Sequence, residues 1–286
     1  MTAPITTSAP IGIFDSGVGG LSIAHAIRRR LPAEQLLYVA DQAFAPYGVQ
    51  SAALIKQRAA TVLQFLTGQG CKAIVIACNT ATVHSIAELR QQNQCPIVGV
   101  EPGIKPAALN SRNGTIGVLA TAQTLSSSSY QQLLTYYSPQ TQIHSVACPA
   151  FVELVETGNL NSDTTRKTID RYLRPLLSSG VDQIVLGCTH FSFLKTAIHD
   201  YLDGRAALID TATAVAAQLQ RQLTASDTLN DSDGQPEDSR TIRFISSDCT
   251  EAAALSIGRL WGEPVCVDPF STFNTEAEDR PETVPE

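Results

Sequence analysis

Two similar stretches constrain what this chain can fold into. Residues 74–81 read IVIACNTA, and residues 184–191 read IVLGCTHF. Each begins as an apolar run typical of a buried strand and continues through a cysteine into small hydrogen-bonding residues, where a helix is predicted. Cys78 and Cys188 therefore end two strands, at the edge of an open α/β sheet where ligands bind. The repeat predicts two thiols that face each other across one site.

Apolar runs alternate with helical periodicity along the rest of the chain. Strands are predicted at 11–14, 36–40, 73–77, 96–100, 115–121, 142–147, 182–187, 207–210, 241–247 and 265–267. This alternation favours parallel sheets with helices on both faces. The second half repeats the first, because TIGVLAT at 115–121 resembles IGIFDS at 11–16 and Cys188 lies 110 positions after Cys78. We interpret this as an internal duplication of α/β halves.

Composition narrows the classes of function. With 43% hydrophobic and 16% charged residues, the chain is typical of a folded globular protein. A net charge of −7 disfavours nucleic acid as the main partner, since phosphate binding needs a basic face. No apolar run reaches the roughly 18 residues of a membrane helix, and the first ten residues lack the pattern of a signal peptide. We therefore expect a cytoplasmic protein that does not bind a membrane.

The chain has seven cysteines, namely Cys71, Cys78, Cys95, Cys148, Cys188, Cys249 and Cys266. The odd number and the absence of a C-x-x-C pair argue against a disulfide framework and against a structural zinc site. Most are expected to be buried free thiols that pack as small hydrophobic residues. We expect no metal site.

The residues after Cys78 admit two interpretations. Asn79 and Thr80 are helix-capping types, so an ordinary N-cap explains them. The same helix start also offers unpaired N–H groups and the positive end of a dipole, which lower a thiol pKa and bind a carboxylate. Because the arrangement recurs after Cys188, we favour the functional interpretation.

His190 is the one histidine beside a candidate thiol, in the sequence Cys188-Thr189-His190. Its imidazole titrates near neutral pH and suits proton transfer with a neighbouring sulfur. The segment 148–156, CPAFVELVE, is predicted as a loop that reaches the cleft from the preceding strand. Glu156 would hold the His190 ring there, although a solvent-exposed glutamate is the commoner case.

Asp15 and Ser16 end the first predicted strand and are expected near Cys78. Either they form a turn with a helix cap, or Asp15 binds an ammonium group or assists a proton transfer. The following residues 17–20, GVGG, lack the spacing of a dinucleotide-binding fingerprint, so nucleotide binding is disfavoured.

Two further places show weaker signals. Tyr47 and Gly48 lie in the loop after the second strand, where an ordinary turn competes with a ligand contact through the Gly48 N–H. Thr121 and Thr124 follow the strand that restarts the pattern and either cap a helix or bind an anion.

These motifs together resemble those of the glutamate racemases, in the cofactor-independent aspartate/glutamate racemase superfamily. In order along the chain they are IGIFDSGVGG, APYG, ACNTA, EPG, CPAFVELVE and LGCTH. Any one is weak, but the ordered set is specific and runs from about residue 11 to residue 223.

The resemblance implies that Cys78 and Cys188 are the two catalytic acid/base residues, with Asp15 assisting Cys78 and His190 assisting Cys188. The substrate-contacting residues it implies are Asp15, Ser16, Tyr47, Gly48, Asn79, Thr80, Thr189 and His190, and we add Thr121. It also implies interconversion of L- and D-glutamate without a cofactor, a homodimer, and a role in supplying D-glutamate for peptidoglycan.

The fold implied is α/β, with two pseudo-symmetric domains, mainly parallel central sheets and an active site in the cleft between them. We expect residues 1–100 with 211–268 to form the first domain and residues 101–210 the second. Residues 226–239 are predicted to be a mobile acidic loop and residues 271–286 a disordered tail.

Three positions depart from the resemblance. Phe44 stands where an arginine is common, Phe191-Ser192 replaces a common Tyr-Pro, and Glu153 replaces a common proline. None removes a catalytic group, but any contact that the arginine would make is lost.

Four alternatives stay open. A related racemase or isomerase would act on aspartate, a hydantoin or a maleate-like acid. A PLP-dependent racemase would need a Schiff-base lysine, and the five lysines are expected mostly on surfaces. A hydrolase using Cys188 and His190 leaves Cys78 unexplained. A non-catalytic protein would bind an acidic amino acid without exchanging its α-proton.

Overall fold

A computed structural model describes residues 6–230 and 241–270. Its strands are β1 Ile11–Asp15, β2 Leu36–Ala40, β3 Ala73–Ile76, β4 Ile97–Gly99, β5 Thr115–Ala120, β6 Gln142–Ala147, β7 Gln183–Gly187, β8 Ala207–Ile209, β9 Ile242–Ser246 and β10 Val267–Pro269. Its α-helices are α1 Leu21–Arg30, α2 Ala52–Gly68, α3 Asn79–Gln92, α4 Ile104–Asn110, α5 Ala122–Ser126, α6 Ser128–Tyr137, α7 Pro149–Glu156, α8 Asp163–Ser178, α9 Lys195–Leu202, α10 Ala212–Ala225 and α11 Glu251–Trp261. Short 3-10 helices cover Gln42–Phe44, Tyr47–Val49 and Thr189–Leu194.

The strands form two parallel sheets with the same central order. The first sheet runs β10-β9-β2-β1-β3-β4 and the second runs β6-β5-β7-β8. In the first, Ile11 faces Leu36 and Ala73 on its two neighbours. In the second, Ile116 faces Ile143, and it also faces Gln183. The prediction of an α/β fold with two parallel sheets is confirmed, and β3 and β7, which precede the two cysteines, hold equivalent places.

The buried strands explain why these segments pair. Every residue of β1, β2, β3 and β7 is buried, as expected for sheets covered on both faces.

After the second sheet the chain returns to the first, where α10 packs on α1 and α11 also contacts α1. The buried side of α10 carries Val215, Ala216, Leu219 and Leu223 at helical spacing.

Several predicted elements need correction. Segment 148–156 is not a loop, because Pro149 starts helix α7 and Phe151, Val152 and Val155 pack its apolar side into the core. Residues 122–137 form two helices, α5 and α6, separated at Ser127, whose hydroxyl caps α6. The edge strand predicted at 265–267 is β10, shifted toward the carboxyl terminus.

Lys72 is not on a surface as expected. It is fully buried at the amino end of β3, where its Nζ lies 2.6 Å from a carboxylate oxygen of Glu34. Nζ also donates to the carbonyl oxygen of Thr228 at 2.8 Å. This lysine therefore sits at the opposite end of the sheet from Cys78.

Two of the sequence predictions reach beyond the described residues. In the predicted loop 226–239, residues 231–239 lie outside them, and the predicted tail 271–286 lies outside them entirely.

Candidate active site

The carboxyl ends of four strands meet in one buried cluster. Asp15 ends β1, Cys78 follows β3, Thr121 follows β5 and Cys188 follows β7. All four are less than a tenth exposed, with Cys78 at 6% and Cys188 at 7%. Thr80 Oγ1, just after β3, lies 2.9 Å from Thr121 Oγ1, just after β5, so the two sheets present their carboxyl edges to each other.

Cys78 caps helix α3 with its own sulfur. Sγ accepts a hydrogen bond from the Ala81 N–H at 3.4 Å, and Ser16 Oγ lies 3.4 Å from the same sulfur. Burial raises the pKa of the thiol to about 12, the nearby Asp15 carboxylate adds to that rise, and the two hydrogen bonds oppose it. In this arrangement Cys78 is a neutral thiol at physiological pH.

The two residues predicted as possible caps have other contacts. Asn79 Nδ2 donates to the Val100 carbonyl at 3.2 Å. Thr80 Oγ1 lies 2.9 Å from Thr121 Oγ1 and 3.3 Å from Thr124 Oγ1, and all three hydroxyls are buried. This hydroxyl triangle joins the first sheet to the second.

Asp15 is fully buried and only half of its carboxylate is hydrogen-bonded. Oδ2 accepts from the N–H groups of Gly17 at 3.1 Å and Gly20 at 3.0 Å. Among residues 6–230 and 241–270, Oδ1 has no hydrogen-bonding partner. Burial raises the pKa of Asp15, opposed by the positive charge of His190 and by the two glycine N–H groups. Asp15 Oδ1 is thus available for a contact with substrate or for proton transfer.

Cys188 has a different environment from Cys78. It precedes a 3-10 helix rather than the predicted α-helix, and its Sγ lies 3.8 Å from His190 Nδ1. The other ring nitrogen, Nε2, lies 2.7 Å from Glu156 Oε1, on the last turn of α7. Burial lowers the pKa of His190, but the hydrogen bonds to Cys188 and Glu156 prevail and raise it well above its usual value. The ring is therefore an imidazolium that touches the sulfur.

The glycine-rich segment 17–20 lets the two halves approach closely. A Cβ at Gly19 would lie 2.3 Å from His190 Nδ1 and 2.7 Å from Thr189 Oγ1. A Cβ at Gly17 would lie 2.8 Å from Glu156 Oε1. The sequence disfavoured a nucleotide role for this motif, and its contact with the histidine side was missed, although adjacent glycines are a signal of close backbone approach.

Tyr47 and Gly48 reach the same cluster from the loop after β2. Gly48 lies against Thr121, whose Cβ would be 3.1 Å from a Cβ at this glycine. The buried Tyr47 hydroxyl donates to Asp41 Oδ2 at 2.6 Å, and Asp41 also binds Arg58. Asp41 and Arg58 were missed, although Asp41 directly follows β2 at the same sheet edge as Asp15.

The three departures from the resemblance have definite places. Phe44 lies under the guanidinium of Arg58, with 4.0 Å between Cζ and the ring centroid. Phe191 is buried with its ring centroid 5.2 Å from that of Phe151, and Ser192 Oγ donates to Asp210 at 3.2 Å. Glu153 is on the exposed side of α7 and does not reach the cluster.

The described residues also bear on metal-dependent and membrane-spanning classes of protein. No group of three or more His, Cys, Asp and Glu in residues 6–230 and 241–270 is arranged to hold a metal ion. Over the same ranges, no helix has the length and apolar character to cross a membrane.

Known proteins are similar to this chain over most of its length. A glutamate racemase of Pseudomonas aeruginosa is 46% identical over 261 residues, covering 91% of this chain and 97% of the relative. The crystal structure of a Francisella tularensis glutamate racemase in complex with D-glutamate has a TM-score of 0.80 at 29% identity, covering 93% of this chain and 98% of that one. The Escherichia coli glutamate racemase in complex with L-glutamate and the activator UDP-MurNAc-ala also has a TM-score of 0.80, at 30% identity, covering 93% of this chain and 100% of that one.

The family model for Asp/Glu/hydantoin racemases matches residues 19–219. This span contains both cysteines, the histidine between α7 and the cluster, and the hydroxyl triangle. The chain belongs to the Asp/Glu/hydantoin racemase family.

Proposed function

We propose that this protein is a glutamate racemase in which Cys78 and Cys188 act as acid and base on opposite faces of the substrate α-carbon. The observation that carries the proposal is the pair of buried thiols at equivalent strand ends of two facing sheets, each with its own proton-handling partner. Identity of 46% to a glutamate racemase over most of the chain supports the choice of substrate.

The reaction needs two groups of similar chemistry. Removing the α-proton from one face and returning a proton to the other inverts the centre, and the roles exchange when the direction reverses. Thiols suit both roles, because their pKa values can be moved by their surroundings.

Cys188 is the base toward L-glutamate. The His190 imidazolium stabilises negative charge on Cys188 Sγ, and Glu156 keeps the ring charged and oriented. As Sγ takes the α-proton, electron density moves from the C–H bond into the substrate's α-carboxylate.

Cys78 is the acid for the same direction. Its raised pKa keeps it protonated until the carbanion develops, and it then delivers its proton to the opposite face. Asp15 Oδ1, which has no hydrogen-bonding partner in the described part of the chain, suits either the substrate ammonium or the proton of Cys78. In the D-to-L direction the two sulfurs exchange roles.

The remaining site residues bind the substrate. The N–H groups at the start of α3, beside Asn79 and Thr80, and those of Thr189 and His190 suit an α-carboxylate. Ser16, Tyr47, Gly48 and Thr121 surround the place of the distal carboxylate. Stabilisation of the carbanion in a closed, dry site supplies the part of the rate acceleration that acid–base positioning alone does not.

The assembly and cellular role extend the same proposal. We retain residues 1–100 with 211–268 as one domain and 101–210 as the other, because α10 and α11 pack against α1. We further propose a cytoplasmic homodimer that supplies D-glutamate for peptidoglycan. Size-exclusion chromatography with light scattering tests the dimer.

Deuterium exchange tests the activity. The protein is incubated in D₂O with L-glutamate and, separately, with D-glutamate, and α-deuteration is followed by NMR together with optical rotation. Exchange and loss of rotation with both enantiomers are expected. Binding without exchange would identify a non-catalytic protein that binds an acidic amino acid. Faster exchange with aspartate than with glutamate would identify an aspartate racemase.

A further inference from the structure

We propose that Arg58 is a positioning residue for racemisation: through Asp41 it fixes Tyr47 and Gly48 against the substrate. The inference rests on the proposed function and deepens it. Arg58 belongs to α2, outside the cysteine motifs, and does not itself belong to the cluster of buried site residues.

The guanidinium and Asp41 form a bidentate ion pair. Arg58 Nε donates to Asp41 Oδ2 at 2.9 Å, and Nη2 donates to Oδ1 at 2.8 Å. The side chain of Asp41 is fully buried, and that of Arg58 is 14% exposed. Two parallel hydrogen bonds fix the plane of the carboxylate as well as its position.

The Asp41 carboxylate also holds the loop after β2 in place. Asp41 Oδ2 also accepts from the Tyr47 hydroxyl at 2.6 Å, so one oxygen is shared between the arginine and the tyrosine. The Asp41 N–H donates to the Asp15 carbonyl at 2.9 Å, which ties the pair to the end of β1. Tyr47 precedes Gly48, which lies against Thr121 in the other half of the site.

Phe44 shields the pair from water. Its ring stacks under the guanidinium at 4.0 Å, and its carbonyl accepts from the Gln50 side chain at 3.2 Å. Such a cation–π contact is stronger where water is excluded. The aromatic ring and Arg58 therefore act together.

A lysine at position 58 would keep the charge and lose the geometry. An ammonium group is a point charge that cannot match both carboxylate oxygens in one plane. The chain offers a matched control in Arg174, which forms the same bidentate pair with Asp170, where Tyr201 donates to the same carboxylate. That triad lies on the surface of α8 and α9, with the arginine side chain 72% exposed.

The experiment compares Arg58→Lys with Arg174→Lys in steady-state racemisation of both glutamate enantiomers. Arg58→Lys is expected to raise KM about 10-fold with a smaller change in kcat, because misplaced binding groups weaken substrate contacts while the thiols stay in place. Arg174→Lys is expected to leave KM and kcat unchanged. Equal KM values in the wild type and Arg58→Lys would overturn the proposal.

The Tyr47→Phe background separates positioning from general stability. If Arg58 acts through Tyr47, then Arg58→Lys changes KM less than about two-fold once the hydroxyl is absent. The same 10-fold rise in both backgrounds would show that Arg58 acts by another route and would overturn the proposal.

Should Arg58→Lys fold poorly, Phe44→Leu, which keeps the ion pair and removes its cover, is expected to raise KM in the wild-type background and not in Tyr47→Phe. A wild-type protein without α-proton exchange contradicts the proposed function, whereas an active wild type with an unchanged KM in Arg58→Lys contradicts only the positioning role.

Discussion

The two cysteine regions have the same topology and different electrostatics. Cys78 and Cys188 follow equivalent strands of two parallel sheets with the same central order. Cys78 lies among a hydroxyl, a helix N–H and a buried carboxylate. Cys188 contacts the imidazole of His190, which is hydrogen-bonded to the side chain of Glu156. The sulfur therefore holds the same position in both regions, while the groups around it differ.

This difference gives each thiol its own surroundings. Burial and Asp15 favour the neutral form of Cys78, whereas Cys188 has the His190 ring 3.8 Å from its sulfur. A racemase whose equilibrium constant is one must nevertheless run equally well in both directions. The asymmetry therefore concerns the groups around each sulfur and not the net direction of reaction.

Removing either sulfur is expected to have the largest effect. Cys78→Ala and Cys188→Ala should each lower kcat for racemisation by about 10³-fold or more, because each removes one of two obligatory proton carriers. Racemisation assays and circular dichroism together show whether activity is lost with the fold intact. Cys249→Ala, at an exposed thiol, is the matched control. Near wild-type activity in either site variant would show that the two-thiol mechanism is wrong.

Removing one partner from each region is expected to cost less. His190→Asn and Asp15→Asn should each reduce kcat/KM by about 10²-fold, since the sulfur remains but its proton partner is lost. For each variant kcat/KM must fall by the same factor with L- and D-glutamate, while kcat and KM separately can change unequally. A large effect at one position and none at the other would mean that a single region carries the proton chemistry.

Glu156→Gln is expected to change the pH profile of the histidine region. The raised pKa of His190 depends partly on Glu156, so the neutral amide should lower that pKa. Activity that depends on the imidazolium is lost as pH rises through this pKa, and the alkaline fall of kcat/KM should therefore move to lower pH, with a loss of about 10-fold at neutral pH. Glu153→Gln, on the exposed side of the same helix, should leave the profile in place.

The smallest expected effect is on stability at alkaline pH. The pKa of Cys78 is raised from its usual value of 9.0 to about 12 in the folded protein, so the unfolded chain releases this proton first. The thiol's contribution to the free energy of unfolding is constant below about pH 9 and declines as pH rises toward 12. Cys78→Ala should thus flatten the decline of Tm between pH 9 and 11, and only in part, because the buried Cys71 and Cys148 also have raised pKa values. A decline identical to that of the wild type would show that Cys78 is not a buried neutral thiol.

The local sequence pattern was sufficient to predict the two sheets and to place the two cysteines at strand ends. Apolar runs of strand length, separated by helical periodicity, are sufficient to indicate buried parallel strands, and the recurrence at Cys78 and Cys188 marks their equivalent ends. The small residues that follow each thiol also indicated a helix start. At Cys78 that prediction is correct, but the capping atom is the sulfur itself rather than Asn79 or Thr80.

Tertiary structure alone decided which residues surround each sulfur. The hypothesis that Glu156 holds the His190 ring was open against a solvent-exposed glutamate, and the 2.7 Å contact in the structure decides it. The Thr80–Thr121 contact joins positions 41 apart, so no local periodicity reveals it. Helix α7 was misread as a loop, although Pro149 at its first position and the helical spacing of Phe151, Val152 and Val155 are sequence signals of a helix. Arg58 and Phe44 could not be detected as a pair, because they belong to separate elements and only the folded chain brings the guanidinium over the ring.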